Sequence, residues 1–288
     1  MKARRRLRIA LRLLLFCTLC IFAGRAYQYL FWDAPYRVIF WDEGLLKPVV
    51  EGWFGVDWNN YASNPDTADR IEIFASVIGF LFVCCLPAAV IVFRSNNRWA
   101  RYVLYLGCAM LFVQALLSYK DKFYHLAQFF EYGIQAGTPL LLLYVSLLKL
   151  QFSKLLMWVR ILVAFTFAGH GLYALGVYPL PGNFVDMTIS ILGVSETTAQ
   201  NFLFVIGVLD LIAAVGVFIP RLAKISFLYA FIWGTLTALA RIVSGFYIDF
   251  WQDSLHQNLY QTVYRLPHGI LPLIGYLVIS HVRKLNNQ

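Results

Sequence analysis

Phe22-Ala23-Gly24-Arg25-Ala26-Tyr27-Gln28-Tyr29-Leu30 returns near mid-chain as Phe167-Ala168-Gly169-His170-Gly171-Leu172-Tyr173-Ala174-Leu175. Both copies sit in long apolar runs, so the repeat marks two copies of one membrane unit. It also aligns Arg25 with His170, two polar groups in otherwise apolar helices. The alignment therefore gives both the architecture and the first pointer to a site.

The chain has 288 residues, of which 60% are hydrophobic and 17% aromatic. A soluble domain is roughly 45–50% apolar, and so few charged residues cannot cover this much apolar side chain from water. A spanning helix needs about 20 mostly apolar residues. Candidate spans fall at roughly 8–30, 70–93, 101–118, 125–148, 158–177, 199–219, 224–245 and 264–282. The expected fold is all-α: a polytopic membrane helical bundle of about eight spans.

Charge fixes the expected orientation. With the N-terminus in the cytoplasm, the inner stretches hold Lys2, Arg4, Arg5, Arg6, Arg8, Arg12, Arg94, Arg98, Arg101, Lys149, Lys154, Arg160, Arg221, Lys224, Arg283 and Lys284, with no Asp or Glu among them. This positive-inside bias puts both termini in the cytoplasm of a multi-pass protein of the plasma (inner) membrane. The formal charge of +9 is thus a topology signal. A nucleic-acid partner would want a basic soluble face with interleaved aromatics, and none is expected. Met1–Arg8 and the apolar run after it have the outline of a signal peptide. Because the same segment is internal in the second half, it reads as a true first span.

The repeat extends beyond its opening. Phe74-Ala75-Ser76-Val77-Ile78-Gly79 matches Phe202-Leu203-Phe204-Val205-Ile206-Gly207, Ala115-Leu116-Leu117-Ser118 matches Arg241-Ile242-Val243-Ser244, and Pro139 matches Pro272. Residues 1–150 and 151–288 are accordingly two four-helix units. Four spans per unit is an even number, so the units run parallel, related by a pseudo-twofold axis along the membrane normal. The first outer loop, about 31–69, carries Trp32, Trp41, Trp53 and Trp58 and is expected to lie at headgroup level. Trp251–Tyr260 reads as another interfacial helix. Asn64-Pro65 and Ser195-Glu196 are helix N-terminus signals.

Depth counting at about 1.5 Å per residue brings Arg25, Glu131, Gln135, His170, Arg241 and His268 into one layer in the outer part of the bundle. Intramembrane ionisable residues face the bundle interior and pair, and Arg25 or Arg241 with Glu131 is the expected ion pair. Two readings stand: polar glue between helices, or an outward-facing pocket for an anionic or carbonyl-bearing ligand such as a quinone headgroup or a lipid. Asp210 falls near mid-span in the sixth helix and needs a partner or a function.

Cys17-Thr18-Leu19-Cys20 has redox spacing but lies mid-helix among Leu and Phe, where a small buried hydrophobe is the expected role. The five histidines show no metal-ligand spacing, so no metal site is expected. Lys120-Asp121-Lys122 reads as a solvated turn. Phosphate-loop and nucleophile-elbow motifs are absent from the sequence.

The second half resembles the DoxX-like family of four-helix membrane proteins. The matching residues are Arg160, Phe167-Ala168-Gly169-His170, Gly207-Val208-Leu209-Asp210 and Gly216-Val217-Phe218-Ile219-Pro220-Arg221-Leu222-Ala223. An acid is common in that family where Asp210 stands, whereas the first half has Phe80-Leu81 near that place. The resemblance implies a plasma-membrane four-helix unit, a subunit of a quinone-linked thiol or sulfur oxidoreductase in some relatives and an accessory factor in others. The expected function is a membrane accessory or binding protein in contact with the lipid bilayer, with no cofactor identified beyond a quinone. The alternative is a redox subunit with a periplasmic or membrane redox partner, and a small-solute transporter stands third.

Overall fold

The computed structural model describes residues 2–95, 97–147 and 151–285. Lys149, assigned above to the inner side, lies outside the described residues, as do the side chains of Lys2, Arg4, Arg283 and Lys284. The described chain is helical, with no strand among the described residues. The first half contains α1 (Lys2–Phe31), α2 (Arg37–Phe40), α3 (Glu43–Phe54), α4 (Trp58–Ser63), α5 (Pro65–Arg94), α6 (Arg98–Asp121), α7 (Leu126–Glu131) and α8 (Gly133–Leu147). The second contains α9 (Phe152–Ala174), α10 (Gly182–Leu192), α11 (Glu196–Gly216), α12 (Ala223–Ser244), α13 (Trp251–Arg265) and α14 (Pro267–Leu285).

Among the described residues, 7 helical stretches are long and apolar enough to cross a membrane. Six correspond to α1, α5, α6, α9, α11 and α12, and the seventh runs through α13 and α14. The chain is a multi-pass membrane helical bundle.

The expected fourth span, 125–148, is not one helix. It breaks at Tyr132 into α7 and α8. Gly133 allows the break to sit against α9, since a Cβ there would lie 3.2 Å from Phe165 and Thr166. The Ile134 N–H, without an intrahelical partner at the break, donates to Thr166 Oγ1 at 2.9 Å. Such replacement bonds from a neighbour let broken helices persist at membrane depth. The last span is interrupted at the corresponding place, between α13 and Pro267. It also begins earlier than expected, because the interfacial segment 251–260 runs directly into it.

The loop read as 31–69 is largely helical. Asp42 caps α3 through Leu45 N–H, and Asp57 caps α4 through Asn60 N–H. Trp53 and Phe54 at the end of α3 are exposed, as expected of a segment at headgroup level. The N-terminus signals hold: Asn64 Oδ1 accepts from Asp66 N–H at 2.9 Å, and Ser195 Oγ accepts from Thr198 N–H at 3.4 Å. Lys120 differs from expectation. It forms an ion pair with Asp42, tying the end of α6 to the start of α3, whereas Lys122 and its neighbour Asp121 stay exposed.

Within each half the first helix packs on the second long one, α1 on α5 and α9 on α11. The halves also interlock. α1 lies along α13 and α14, and α9 lies along α7 and α8. Lipid tails are as apolar as Leu, so close packing has to drive these contacts, and small residues permit it. A Cβ on Gly24 would lie 2.8 Å from Tyr260 O and 2.9 Å from Tyr264 N. One on Gly169 would lie 2.6 Å from Ala127 O and 2.8 Å from Glu131 N. The register that pairs Gly24 with Gly169 and Pro139 with Pro272 also pairs Tyr260 with Ala127 and Tyr264 with Glu131. The same crossing is thus made twice, backbone against backbone. A matching pair occurs where Gly79 faces Leu30 and Gly207 faces Leu175, each with a prospective Cβ 2.9 Å from the leucine Cγ.

Candidate functional site

The register that brings these glycines into correspondence also organises the buried polar groups. Arg25 is 2% exposed. Its Nε donates to Gln135 Oε1 at 3.1 Å, a second guanidinium nitrogen donates to the same oxygen, and Nη1 reaches Gln28 Oε1 at 2.5 Å. Its Cζ lies 3.8 Å from the Tyr264 ring centroid and 5.2 Å from that of Tyr132, so two aromatic faces stabilise the cation. Gln135 Nε2 stands 3.4 Å from His268 Nε2. Gln135 and His268 occupy equivalent positions four residues before Pro139 and Pro272, so this contact joins the two halves at matching places. The rings of His268 and His170 are 5.5 Å apart, and His170 Nδ1 lies 3.0 Å from Glu131 Oε1.

One connected polar chain therefore runs Arg25–Gln135–His268–His170–Glu131 across α1, α8, α14, α9 and α7. The expected ion pair is corrected: Glu131 pairs with His170, not with Arg25 or Arg241. In an alternating bundle α9 presents His170 directly to α7, because Gly169 brings those two helices together one residue earlier. Arg25 makes the equivalent approach to α13, where Tyr264 stands in place of an acid.

Beside this chain lies a cavity of about 470 Å³ in the second half, between α9, α10, α11, α12 and α14. Its walls are apolar and include Phe167, Ala174, Phe184, Phe202, Ile206 and Trp233. His170, Asp210, Arg241 and His268 line it as well. Four of the seven residues singled out from sequence thus share one cavity, and Arg25, Gln135 and Glu131 lie behind it in the polar chain. Asp210, 2% exposed, accepts a 2.8 Å hydrogen bond from the Tyr229 hydroxyl, the partner that its mid-span position called for. Arg241, in the last turn of α12, has no side-chain hydrogen bond or ion pair among the described residues.

Sequence reading missed Arg265, Tyr264 and Tyr229. Arg265 also lines the cavity, and one of its guanidinium nitrogens donates to Tyr264 Oη at 2.9 Å. The signal was available: Arg265 stands three residues before His268, at the start of the expected last span, 264–282. Tyr229 carried no such mark, since a tyrosine one turn inside a span is ordinary.

The equivalent space in the first half is filled. Phe22, Tyr29, Phe74 and Phe82 correspond by register to the cavity-lining Phe167, Ala174, Phe202 and Asp210. They pack on one another and on Tyr36, just ahead of α2: Phe22 lies tilted on Phe82 at 6.0 Å, and Tyr29 meets Phe82 at 5.3 Å, Tyr29 meets Tyr36 at 6.0 Å and Tyr36 meets Phe74 at 5.0 Å edge-to-face. Edge-to-face aromatic contacts of this kind add to simple area burial. The register also refines the earlier placement of Phe80-Leu81, because Phe82 is the residue opposite Asp210.

Cys17 and Cys20 are buried in α1 and unbridged. Comparison with family models, with curated proteins and with solved structures yields no match.

Proposed function

We propose that the protein is an integral membrane accessory or binding protein whose second half takes the polar end of a membrane-dissolved molecule, a quinone or a lipid. The observation that carries this reading is the asymmetry of the repeat. At corresponding positions the first half packs aromatic rings, whereas the second keeps about 470 Å³ open and places Asp210, His170, His268, Arg241 and Arg265 on its wall. Small-molecule sites have this composition, apolar walls with a few convergent polar groups, and this range of volume. Polar groups at membrane depth are costly to maintain, and their cost is recovered when they serve a site. The resemblance of the second half to DoxX-like proteins, with its acid at Asp210, supports the same half as the binding half.

A redox subunit of a quinone-linked thiol or sulfur oxidoreductase is the second reading, favoured by one feature. The hydrogen-bonded pairs Asp210–Tyr229 and His170–Glu131 stand at the cavity, with the His268 ring against His170, and such groups are what proton delivery to a quinone would require. A thiol substrate or redox partner would then be supplied from outside, since Cys17 and Cys20 are buried. For location, we propose the plasma membrane with both termini cytoplasmic. Arg94, Arg98, Arg101, Arg221 and Lys224 at the short-turn end of the bundle support that orientation.

The test is binding of a short-chain quinone and of extracted membrane lipids to purified protein, read by mass spectrometry after mild-detergent isolation. The expected result is one bound amphiphile per chain, lost in Ala174→Tyr, which places in the second half the ring that fills the first. Quinone reduction with an added thiol donor would move the assignment to the redox reading. Absence of any bound amphiphile in the wild type would end both.

A further inference from the structure

Arg241 differs from the other arginines around the site. Arg25 is held by Gln135, Gln28 and Tyr264, and Arg265 by Tyr264. Arg241 faces the cavity, with no side-chain hydrogen bond or ion pair among the described residues. The side chain is half-buried and the Glu131 carboxylate acts on it only from beyond ion-pair distance, so its fork of donors, which matches carboxylate and phosphate oxygens, stays open. The missing partner is thus an anion inside the cavity.

The rim says how that anion arrives. The cavity-lining residues most open to the surroundings are Ile191, Leu192, Phe202, Leu236, Leu239 and Val243, all of them apolar. In a membrane-spanning bundle this rim meets hydrocarbon, so the opening between α10, α11 and α12 is lateral. α11 and α12 touch each other less than their counterparts α5 and α6 do. A free, hydrated anion would have to shed its water to pass such a rim. An acid carried on an apolar tail would not.

Resting on the binding reading above, we infer that the cavity takes a single-tailed amphiphile with an oxyanion head, admitted sideways from the bilayer and anchored by Arg241. Arg265 stands beside the head as a second cation. Asp210 on α11 is held by Tyr229, which lies about three turns from Arg241 along α12, and it offers an acid head no cation, so the head stays at the Arg241 end. At about 470 Å³ the cavity holds a head and part of one chain. The rest of the tail leaves through the rim. A carboxylate and a phosphate monoester share this chemistry.

The experiment uses full-length protein in a neutral detergent and three photoreactive diazirine probes of equal chain length: a fatty acid, a lysophosphatidic acid and a fatty alcohol. Both acid probes are expected to label α10, α11 and α12 saturably, and the alcohol at least tenfold more weakly. Arg241→Gln lowers saturable labelling by the acids about tenfold or more. Arg241→Lys, which keeps the charge, loses less than threefold. Leu236→Trp, a lipid-facing change on the rim, slows labelling by both acids without unfolding the protein. The stronger acid probe identifies the source of the head. Equal labelling by the alcohol, or Arg241→Gln labelled like the wild type, overturns the oxyanion assignment while leaving an amphiphile site standing. If no probe and no quinone occupies the cavity, the binding reading itself has failed.

Discussion

In the first half Phe82 packs on Phe22 and Tyr29, and no charged residue stands in that aromatic cluster. In the second half Asp210 stands at the corresponding position, leaning on Tyr229, and the space where Tyr29 would project is left open beside Ala174. One scaffold thus carries a packed copy and a hollow copy of the same cleft. The backbone crossings are conserved between the copies, at Gly24 and Gly169 and at Gly79 and Gly207, whereas the side chains facing the cleft differ. The two halves share this frame and differ in one opening. The first cleft is lined by rings, and the second has ionisable groups on its wall.

The largest way to break this contrast is Phe82→Asp, which places the second half's acid in the first half's aromatic cluster without a Tyr229 equivalent. A charge buried at membrane depth costs about 3 kcal/mol. The folded yield should fall and the thermal midpoint in detergent should drop sharply. Wild-type behaviour would mean that the first cleft is less filled than its rings suggest.

Gly24→Ala and Gly169→Ala come next, each expected to destabilise by about 1–3 kcal/mol because the added methyl meets backbone atoms that cannot rotate away. The pair sharpens the comparison. Equal losses in thermal unfolding would mark two equivalent crossings, and a tolerated Gly169→Ala beside a damaging Gly24→Ala would separate them. Glu131→Gln should cost about 1 kcal/mol, the typical worth of a hydrogen bond. The amide can still meet His170, but it is a weaker acceptor than the carboxylate. Ala174→Tyr works in the other direction. Filling the cavity should leave stability unchanged or raise it by up to about 1 kcal/mol while bound amphiphile disappears.

The smallest effect concerns Asp42. Its hydrogen bond from Lys120 holds the carboxyl below the usual range. A depressed folded-state value contributes stability that is present above the unfolded value, near about 3.9, and is lost as pH falls through the folded value. Asp42→Asn should therefore lower stability slightly at neutral pH, converge with the wild type as pH falls through the folded value, and so flatten the acid limb of a pH–unfolding curve.

Most of the frame was legible in the sequence because hydrophobic length and the glycine-centred repeat are local signals. The break at Tyr132 was not. Nothing in Glu131-Tyr132-Gly133 forbids a continuous helix, and the hydroxyl of Thr166 that accommodates the interruption lies on another helix. Depth counting placed Arg25, Gln135, His170 and His268 in one layer, and they touch. It could not assign partners, since depth gives height along the bundle and says nothing of angle around it. That is why Glu131 was first matched with an arginine. Asp210 was marked as needing a partner, but Tyr229 could be found only once α11 and α12 were placed side by side.

The exchange of first helices has a consequence in time. Arg25 is made early, yet Gln135, which holds its guanidinium, follows 110 residues later, and the Tyr264 ring beneath it comes later still. At synthesis rates of about 5–20 residues per second, the α1 arginine waits on the order of ten seconds or more before its full set of partners exists. During that interval α1 carries a cation whose one partner is Gln28 on the same helix, near one end of an otherwise good membrane span. Until α13 and α14 arrive, this helix is the one that needs shelter at the insertion machinery, and truncations ending before Tyr264 should expose it to quality control.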